Sequence, residues 1–191
     1  MIKFVGMGDK ACKIVEKLKD KYDHSQIIAL IENTELADKI DADVKLLINE
    51  YNLICYDDFS NGQKHMQRNK DNILELLKDS KLVVLVACFG TGCGSGGCFE
   101  LAKSLNDKKI PFKVIGSKPF WFEGKKLAQN FSTVISELKE IAAPVKIIDP
   151  NSNKNIMEKT SRNMNKPLGI VFDFLDEEIV LTILKKKFIK V

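Results

Sequence analysis

The stretch "ACFGTGCGSGGC", residues 87–98, contains five glycines and three cysteines and begins at the last residue of the apolar run "KLVVLVA". Glycine has no Cβ, so successive backbone N–H groups can turn toward an anion and approach it closely. The helix predicted to follow adds its own unpaired N–H groups and the positive end of its dipole. This arrangement predicts a phosphate cradle, to which Thr91 and Ser95 could add hydroxyl donors. A tight turn or close helix packing would also explain the glycines, and no Walker-type loop is present.

Thiols are the second group with potential chemistry. The five cysteines are Cys12, Cys55, Cys88, Cys93 and Cys98. Their spacing fits neither a zinc CxxC pair nor a common iron–sulfur pattern, so the sequence predicts small buried thiols and no metal site. A nucleophilic Cys93 at a helix N-terminus would have a lowered pKa. Only His24 and His65 could act as its base, and neither is expected near the loop, so a Cys–His hydrolase is not predicted.

Apolar runs of strand length alternate along the chain with segments of helical periodicity. Strands are predicted over 2–6, 25–31, 51–56, 82–87, 111–117 and 144–149. Helices are predicted over 10–20, 34–40, 63–79, 97–107, 125–141 and 167–187, with a mobile loop over 150–167. This alternation predicts right-handed βαβ units in a three-layer, Rossmann-like α/β fold with a mostly parallel sheet. No repeat or interdomain linker is evident, so residues 1–191 are expected to form one domain.

The composition is that of an ordinary folded chain. It has 191 residues, 45% of them hydrophobic and 29% charged, with a net charge of +4. The mild basic excess suits a phosphorylated ligand and does not demand nucleic acid. No apolar run is long enough to span a bilayer, and the N-terminus lacks the apolar region of a signal peptide. These features predict a cytoplasmic protein whose cysteines are reduced.

Several motifs together resemble the FtsZ and tubulin superfamily. The matching segments are "IKFVGMG" (2–8), "IALIENTELA" (28–37), "GTGCGSGG" (90–97), "KPFWFEG" (118–124), "VKIIDPN" (145–151) and "LGIVFDFLDEEI" (168–179). They resemble, respectively, the first strand with its GxG turn, the strand that ends in NTD, the signature loop, the KPFxFEG motif, the strand before IPN, and the central helix. Their order is that of the family, and they cover nearly the whole chain. The resemblance implies the FtsZ nucleotide-binding domain, with the second FtsZ domain absent.

The resemblance also implies a ligand, GTP or GDP, with Mg²⁺ as an optional accompanying ion. The implied phosphate contacts are Gly6 and Gly8 in the first turn, and Gly90, Thr91, Gly92, Cys93 and Gly94 in the signature loop. Glu123 would bond the ribose, Asn151 the sugar or base, and Asp173 the N1–H and N2–H groups of guanine. The alternative for Asp173 is an ordinary exposed helix residue beside other carboxylates.

This chain departs from the family pattern at several positions. The run of glycines after the first GxG turn is replaced by Asp9, Lys10, Ala11 and Cys12. Lys13 replaces an Asn that helps to recognise guanine, and Leu127 replaces an expected Arg. Segment 57–67 lacks the glycine-rich pattern that senses the γ-phosphate, and the acidic loop needed for hydrolysis does not occur before Val191.

Two classes of function remain after these comparisons of residues. The first is a guanine-nucleotide-binding protein of cytoskeletal or cell-division type, with weak or absent GTPase activity alone and an FtsZ-like or other division protein as partner. The second is a degenerate interaction or scaffold protein that no longer binds nucleotide. A dinucleotide oxidoreductase is disfavoured because the turn after the first strand lacks the third glycine of GxGxxG.

Overall fold

The computed structural model describes residues 1–49, 55–162 and 169–185. The strands are β1 (Ile2–Met7), β2 (Ser25–Ile31), β3 (Val44–Leu47), β4 (Leu82–Cys88), β5 (Phe112–Ser117) and β6 (Val145–Ile148). The helices are α1 (Asp9–Glu16), α2 (Thr34–Ala37), α3 (Phe59–Leu77), α4 (Cys98–Asp107), α5 (Lys125–Glu140), α6 (Lys154–Arg162) and α7 (Gly169–Leu184). A π-helical turn, Cys93–Gly97, leads directly into α4, and a 3₁₀ turn, Trp121–Glu123, precedes α5.

The six strands form one sheet in the order β3-β2-β1-β4-β5-β6, and every neighbouring pair is parallel. Val83 and Leu85 of β4 enter a core with α3, α4 and α5. Val84 and Val86 of the same strand enter a second core with α1, α6 and α7. Because both faces are covered, β4 is apolar throughout rather than alternating. The predicted three-layer α/β fold is confirmed.

Two predicted elements need correction. Positions 51–54 of the strand predicted over 51–56 lie outside the described residues, and the third strand of the sheet is instead β3. The loop predicted over 150–167 is wrong over 154–162, where α6 forms and buries Ile156 in the core shared with α7. Residues 163–167 of that prediction lie outside the described residues. The sequence of α6 is mostly polar, so few apolar residues indicate a buried helix face, and Ile156 is the α6 residue that enters this core. None of the described helices is long and apolar enough to cross a bilayer.

Parallel strands bring several connections to one edge of the sheet. The turn after β1, the glycine-rich loop after β4, the segment after β5 and the segment after β6 all leave from carboxyl ends. Ligands of open α/β sheets bind at this edge, where the direction of strand order reverses. The order here reverses between β1 and β4, so the turn at Gly8 and the loop after Cys88 flank the expected position.

Candidate functional site

Two adjoining cavities lie at the carboxyl edge and share Lys10, Cys88 and Thr91 as lining residues. The first, called here the β2-side cavity, is also lined by residues of the β1 turn and by Glu32 and Asn33 at the end of β2. The second, called the α7-side cavity, extends from the shared residues to Phe172, Asp173 and Asp176 of α7. Together they form a groove that runs from the first turn of α1 to the start of α7.

The structure brings some of the predicted site residues to this groove and places others behind it. Gly8 and Thr91 line the β2-side cavity, whereas Thr91, Glu123 and Asp173 line the α7-side cavity. The predicted residues that line neither cavity are Gly6, Gly90, Gly92, Cys93, Gly94 and Asn151. Their roles in ligand binding remain predictions, and their observed contacts are structural.

The backbone donors of the glycine-rich loop are engaged within the protein. The pairs are Gly90 N to Ser95 Oγ (2.8 Å), Gly92 N to Tyr56 O (2.6 Å) and Gly94 N to Thr91 Oγ1 (3.1 Å). The hydroxyl of Thr91 also donates to the carbonyl of Cys88 at 3.0 Å. In this arrangement the loop folds onto its own hydroxyl groups and onto the segment that precedes α3.

Close backbone approach explains why the loop needs glycine. A Cβ on Gly92 would lie 2.5 Å from the carbonyl oxygen of Asp58, and one on Gly96 would lie 2.0 Å from that of Phe59. Real Cβ atoms do not approach carbonyl oxygens so closely, so larger residues would push α3 away from the loop. The observed contacts therefore support close helix packing as an explanation for these glycines.

The turn after β1 positions two residues of the β2-side cavity. Gly8 has φ +82° and ψ 171°, a conformation restricted to glycine, and it begins α1. Asp9 Oδ1 accepts hydrogen bonds from the backbone N–H groups of Glu32 (2.8 Å) and Asn33 (3.3 Å). The carboxylate that replaces a family glycine therefore ties α1 to the end of β2.

Lys10 is a groove residue that sequence reasoning did not assign. Its Nζ lies 3.5 Å from Glu123 Oε1 and 4.7 Å from the centroid of the Phe172 ring. The other oxygen, Glu123 Oε2, accepts a 2.7 Å hydrogen bond from the Phe120 N–H. A lysine in the first turn of a helix interacts unfavourably with the helix dipole. This position in the sequence was therefore the one indication that Lys10 has a role other than stabilising α1.

Asn151 holds the segment before α5 against the end of β6. Its Oδ1 accepts from the Trp121 N–H at 3.0 Å, and its Nδ2 donates to Pro119 O and to Asp149 Oδ1, both at 3.1 Å. Asp149 also pairs with Lys118 at 3.0 Å. Partial burial opposes ionisation of Asp149, but the hydrogen bonds from Lys118 and Asn151 outweigh it and lower its pKa.

Two carboxylates of α7 line the groove, and they differ in how far each is exposed to solvent. Asp173 is exposed and lines the α7-side cavity. Asp176, one turn further along, is partly buried and lies 3.6 Å from Lys17 Nζ. Burial raises the pKa of Asp176, although the charge of Lys17 opposes the shift. The exposed Asp173 is thus the better placed of the two to accept hydrogen bonds from a ligand.

Cys93 is one of the small buried thiols that the sequence predicts, and it lacks the lowered pKa that a nucleophilic thiol would need. Cys93 is 1% exposed, and burial raises its pKa well above the ordinary value of a thiol. His65 also lies closer to the loop than expected, because a Cβ on Gly96 or Gly97 would meet Gln63 and Met66 on either side of it. His65 is buried, and burial lowers its pKa.

Another buried group involves residues that the sequence did not connect. Cys55 Sγ donates a 2.5 Å hydrogen bond to Glu32 Oε1, which also accepts from the Cys55 N–H at 3.2 Å. Burial raises the pKa of Glu32 despite these bonds, and burial with the neighbouring carboxylate raises that of Cys55. With His65, these residues offer ligand atoms that all lie within 4.8 Å of one another.

The parallel strand order and the groove at its switch point define a class: the nucleotide-binding domain fold of FtsZ and tubulin. An empty FtsZ dimer from M. jannaschii matches with a TM-score of 0.84 at 20% identity, over 96% of this chain and 53% of that one. CetZ2 from Haloferax volcanii, solved as a GTPγS-bound protofilament, matches with a TM-score of 0.79 at 18% identity, over 96% and 57%.

Sequence similarity adds a named relative. The cell division protein FtsZ of Haemophilus influenzae is 28% identical over 101 residues, which are 53% of this chain and 24% of that protein. No family model matches the chain. The chain spans about half the length of the solved relatives, and these similarities confirm its resemblance to the FtsZ and tubulin superfamily.

Proposed function

We propose that this chain binds a guanine nucleotide, GTP or GDP, in the groove at the carboxyl edge of the sheet, as part of a cytoskeletal or cell-division system. The observation that carries the proposal is the continuity of the two cavities through Lys10, Cys88 and Thr91 on an FtsZ-type fold. A related fold, CetZ2, was solved with GTPγS bound. The groove offers Lys10 and the first N–H groups of α1 for phosphates, and the Asp173 carboxylate for a base.

The phosphates would lie in the β2-side cavity. Gly8 leaves room beside the start of α1, and the first N–H groups of that helix carry the positive end of its dipole. Lys10 adds a positive charge at the junction of the cavities. Asp9 lines the same cavity and is the carboxylate best placed to hold water ligands of an accompanying Mg²⁺.

The ribose and base would lie in the α7-side cavity. Glu123 lines this cavity beside Lys10, which suits hydrogen bonds to sugar hydroxyls. Asp173 is exposed at its far end, where a carboxylate can accept hydrogen bonds from both N1–H and N2–H of guanine, whereas adenine has no N–H donor at N1 or C2. The proposal therefore favours guanine over adenine nucleotides.

A second candidate is an interaction protein of the same fold that binds no nucleotide. The observation that favours it is the internal pairing of the loop donors, above all the 2.6 Å bond from Gly92 N to Tyr56 O. If the loop binds phosphate through this N–H, the bond to Tyr56 must first open. In the second candidate the bond is permanent, and the glycines serve only close packing.

Calorimetry with GTP, GDP and ATP separates the two candidates. We expect GTP and GDP to bind and ATP to bind much more weakly. Asp173→Asn should lower affinity for GDP by about 10–100-fold, because one member of a charged hydrogen-bond pair is replaced by a group with mismatched donors. Glu177→Gln is the matched control, since Glu177 is also exposed on α7 but lines neither cavity.

The outcome that contradicts the first candidate is equally clear. If none of the three nucleotides binds and none co-purifies with the protein, the interaction protein is the better description. If GDP binds with unchanged affinity to the Asp173→Asn protein, nucleotide binding stands but the assigned role of Asp173 does not.

A protein partner belongs to either candidate. Related folds were solved as an FtsZ dimer and as a CetZ2 protofilament. Trp121 and Phe122 lie at the same edge as the groove, and their side chains are 83% and 39% exposed. We propose an FtsZ-like or other cytoskeletal protein as the partner, with these aromatic side chains as part of the contact surface.

A further inference from the structure

Three residues far apart in the sequence meet beneath the β2-side cavity. Glu32 follows β2, Cys55 precedes α3, and His65 lies in α3. Their exposed fractions are 8%, 1% and 6%, so all three polar side chains are removed from solvent. Each offers one ligand atom, a carboxylate oxygen, a thiol sulfur or an imidazole nitrogen, and these atoms lie within 4.8 Å of one another.

The polar atoms of this cluster are not fully satisfied by protein partners. Cys55 Sγ and the Cys55 N–H both bond to Glu32 Oε1. His65 Nδ1 is buried without a hydrogen-bond partner in the part of the chain that the structure describes. A buried polar atom without a partner is unfavourable, so a metal ion that accepts the lone pair of His65 Nδ1 would remove that penalty.

We propose that Glu32, Cys55 and His65 bind a divalent transition-metal ion, with Zn²⁺ as the best fit. Sulfur, imidazole nitrogen and carboxylate oxygen are the donors that proteins use for Zn²⁺, and a buried, compact set of three excludes Ca²⁺ and Mg²⁺, which require many oxygens. Three protein ligands leave a fourth position for water or another donor. Glu32 also lines the β2-side cavity, which gives a metal ion at the cluster a route to solvent.

Metal binding changes the protonation of the cluster in a defined way. The thiol proton that Cys55 donates to Glu32 leaves to solvent when a metal–sulfur bond forms, and the carboxylate oxygen becomes a second ligand. Tetrahedral Zn²⁺ places its donors about 3.3–3.8 Å apart. The three ligand atoms already lie within 4.8 Å of one another, so small side-chain rotations would arrange them around an ion.

The surrounding backbone holds the ligands in place. Asn69 Nδ2 donates to the carbonyl of His65 at 2.9 Å and to that of Ile48 at 3.1 Å, which ties α3 to the end of β3. The Glu32 N–H donates to Asp9, and the Glu32 carbonyl accepts from Asn49 Nδ2 at 3.2 Å. A site built on such fixed backbone needs only side-chain rotation to accept an ion.

Cobalt provides the direct test, because Co²⁺ occupies zinc sites and reports its ligands by colour. Chelator-treated protein kept in reductant should bind one equivalent of Co²⁺ with a thiolate-to-cobalt charge-transfer band in the near ultraviolet, and Zn²⁺ should displace it. Cys55→Ala should abolish that band, whereas Cys98→Ala should retain it. Cys98 is the matched control because it is equally buried and lies outside the cluster.

Affinity measured by competition with a chromophoric chelator completes the test. His65→Gln and Glu32→Gln should each weaken Zn²⁺ binding by at least about 100-fold, since loss of even an outer-sphere partner costs 10–100-fold. His24→Asn is the histidine control, because His24 is exposed and has φ +58°, which asparagine tolerates. Circular dichroism of each variant checks that it is folded.

The measurement on wild-type protein is by itself enough to contradict the proposal, so the test does not depend on whether the variants fold. Absence of the charge-transfer band in folded wild-type protein, or Zn²⁺ binding that is equally strong in the Cys55 and His65 variants, would show that the cluster is not a metal site. Neither readout involves nucleotide, so this proposal and the proposed function fail separately.

Discussion

Gly8 and Gly124 share one unusual backbone conformation at the starts of α1 and α5. Their φ and ψ angles are 82° and 171° for Gly8, and 101° and 168° for Gly124. A Cβ on Gly8 would lie 3.1 Å from Glu32 Oε2 and 3.2 Å from Cys93 Cβ, whereas one on Gly124 would meet nothing within 4 Å. A substitution at Gly124 therefore tests backbone strain alone, whereas the same substitution at Gly8 tests strain together with steric crowding.

We predict that Gly124→Ala lowers the free energy of unfolding by about 1–3 kcal/mol, the usual cost of this conformation for a residue with a Cβ. Gly8→Ala should lose more than Gly124→Ala, because crowding adds to the same strain. Urea denaturation measures both. Equal losses would mean that the neighbours of Gly8 move aside at no cost.

At the scale of elements, Asp149 links the ends of β5 and β6 through Lys118 and Asn151. Because its folded pKa is lowered, Asp149 contributes stability above its unfolded pKa of about 3.9, and loses it as the pH falls through the lower folded value. Asp149→Asn should therefore reduce the free energy of unfolding by about 1 kcal/mol at neutral pH.

Urea denaturation at several pH values checks this prediction. The difference between Asp149→Asn and wild type should shrink below about pH 4, where the wild-type carboxylate takes up its proton. Asp107→Asn, at the exposed end of α4, is the control and should change little at any pH. A difference that persists unchanged at low pH would assign the effect to shape rather than charge.

Elements with strong apolar signals were predictable, and weakly patterned ones were not. β4 was predicted to within one residue because a strand covered on both faces is apolar throughout. β3 has four residues at the edge of the sheet and is only half-buried, so its pattern is weak. α6 is polar except for Ile156 and Met157, so its sequence gives little sign of the core contact that Ile156 makes.

The groove could be predicted in part for a related reason. Parallel strands end at one edge, so Gly8, Thr91 and Glu123 could be brought together from sequence and topology alone. The role of Lys10 was indicated only by its unfavourable position in the first turn of α1. The cluster of Glu32, Cys55 and His65 could not be predicted, because it depends on how α3 packs against the glycine-rich loop, which no local pattern encodes.

For the molecule as a whole, we predict that the chain alone hydrolyses GTP slowly or not at all. Hydrolysis needs a group that positions water against the γ-phosphate. In the described part of the chain, the carboxylates that line the β2-side cavity are Asp9 and Glu32. Asp9 is committed to backbone N–H groups and to the water ligands of the proposed Mg²⁺, and Glu32 is bonded to Cys55, so neither is free to position the attacking water.

Phosphate release measured over a range of protein concentrations tests this prediction. A slow rate in strict proportion to concentration is expected, and a longer FtsZ-like partner that supplies an acidic group should raise it. A specific rate that climbs with concentration would contradict the prediction, because it would show that copies of this chain complete one another's sites.

The position of β1 in the sheet determines when each of its two edges can pair during synthesis on the ribosome. β1 pairs with β2 soon after both emerge, but its other neighbour is β4, in the register Ile2 to Leu82. At about 5–20 residues per second, one edge of β1 stays open for several seconds of synthesis. An open apolar edge can pair with another nascent chain. A translational pause after β4 has emerged would therefore allow β1 and β4 to pair and would protect the nascent chain from aggregation. The same pause before β4 has emerged would prolong the period in which one edge of β1 is unpaired.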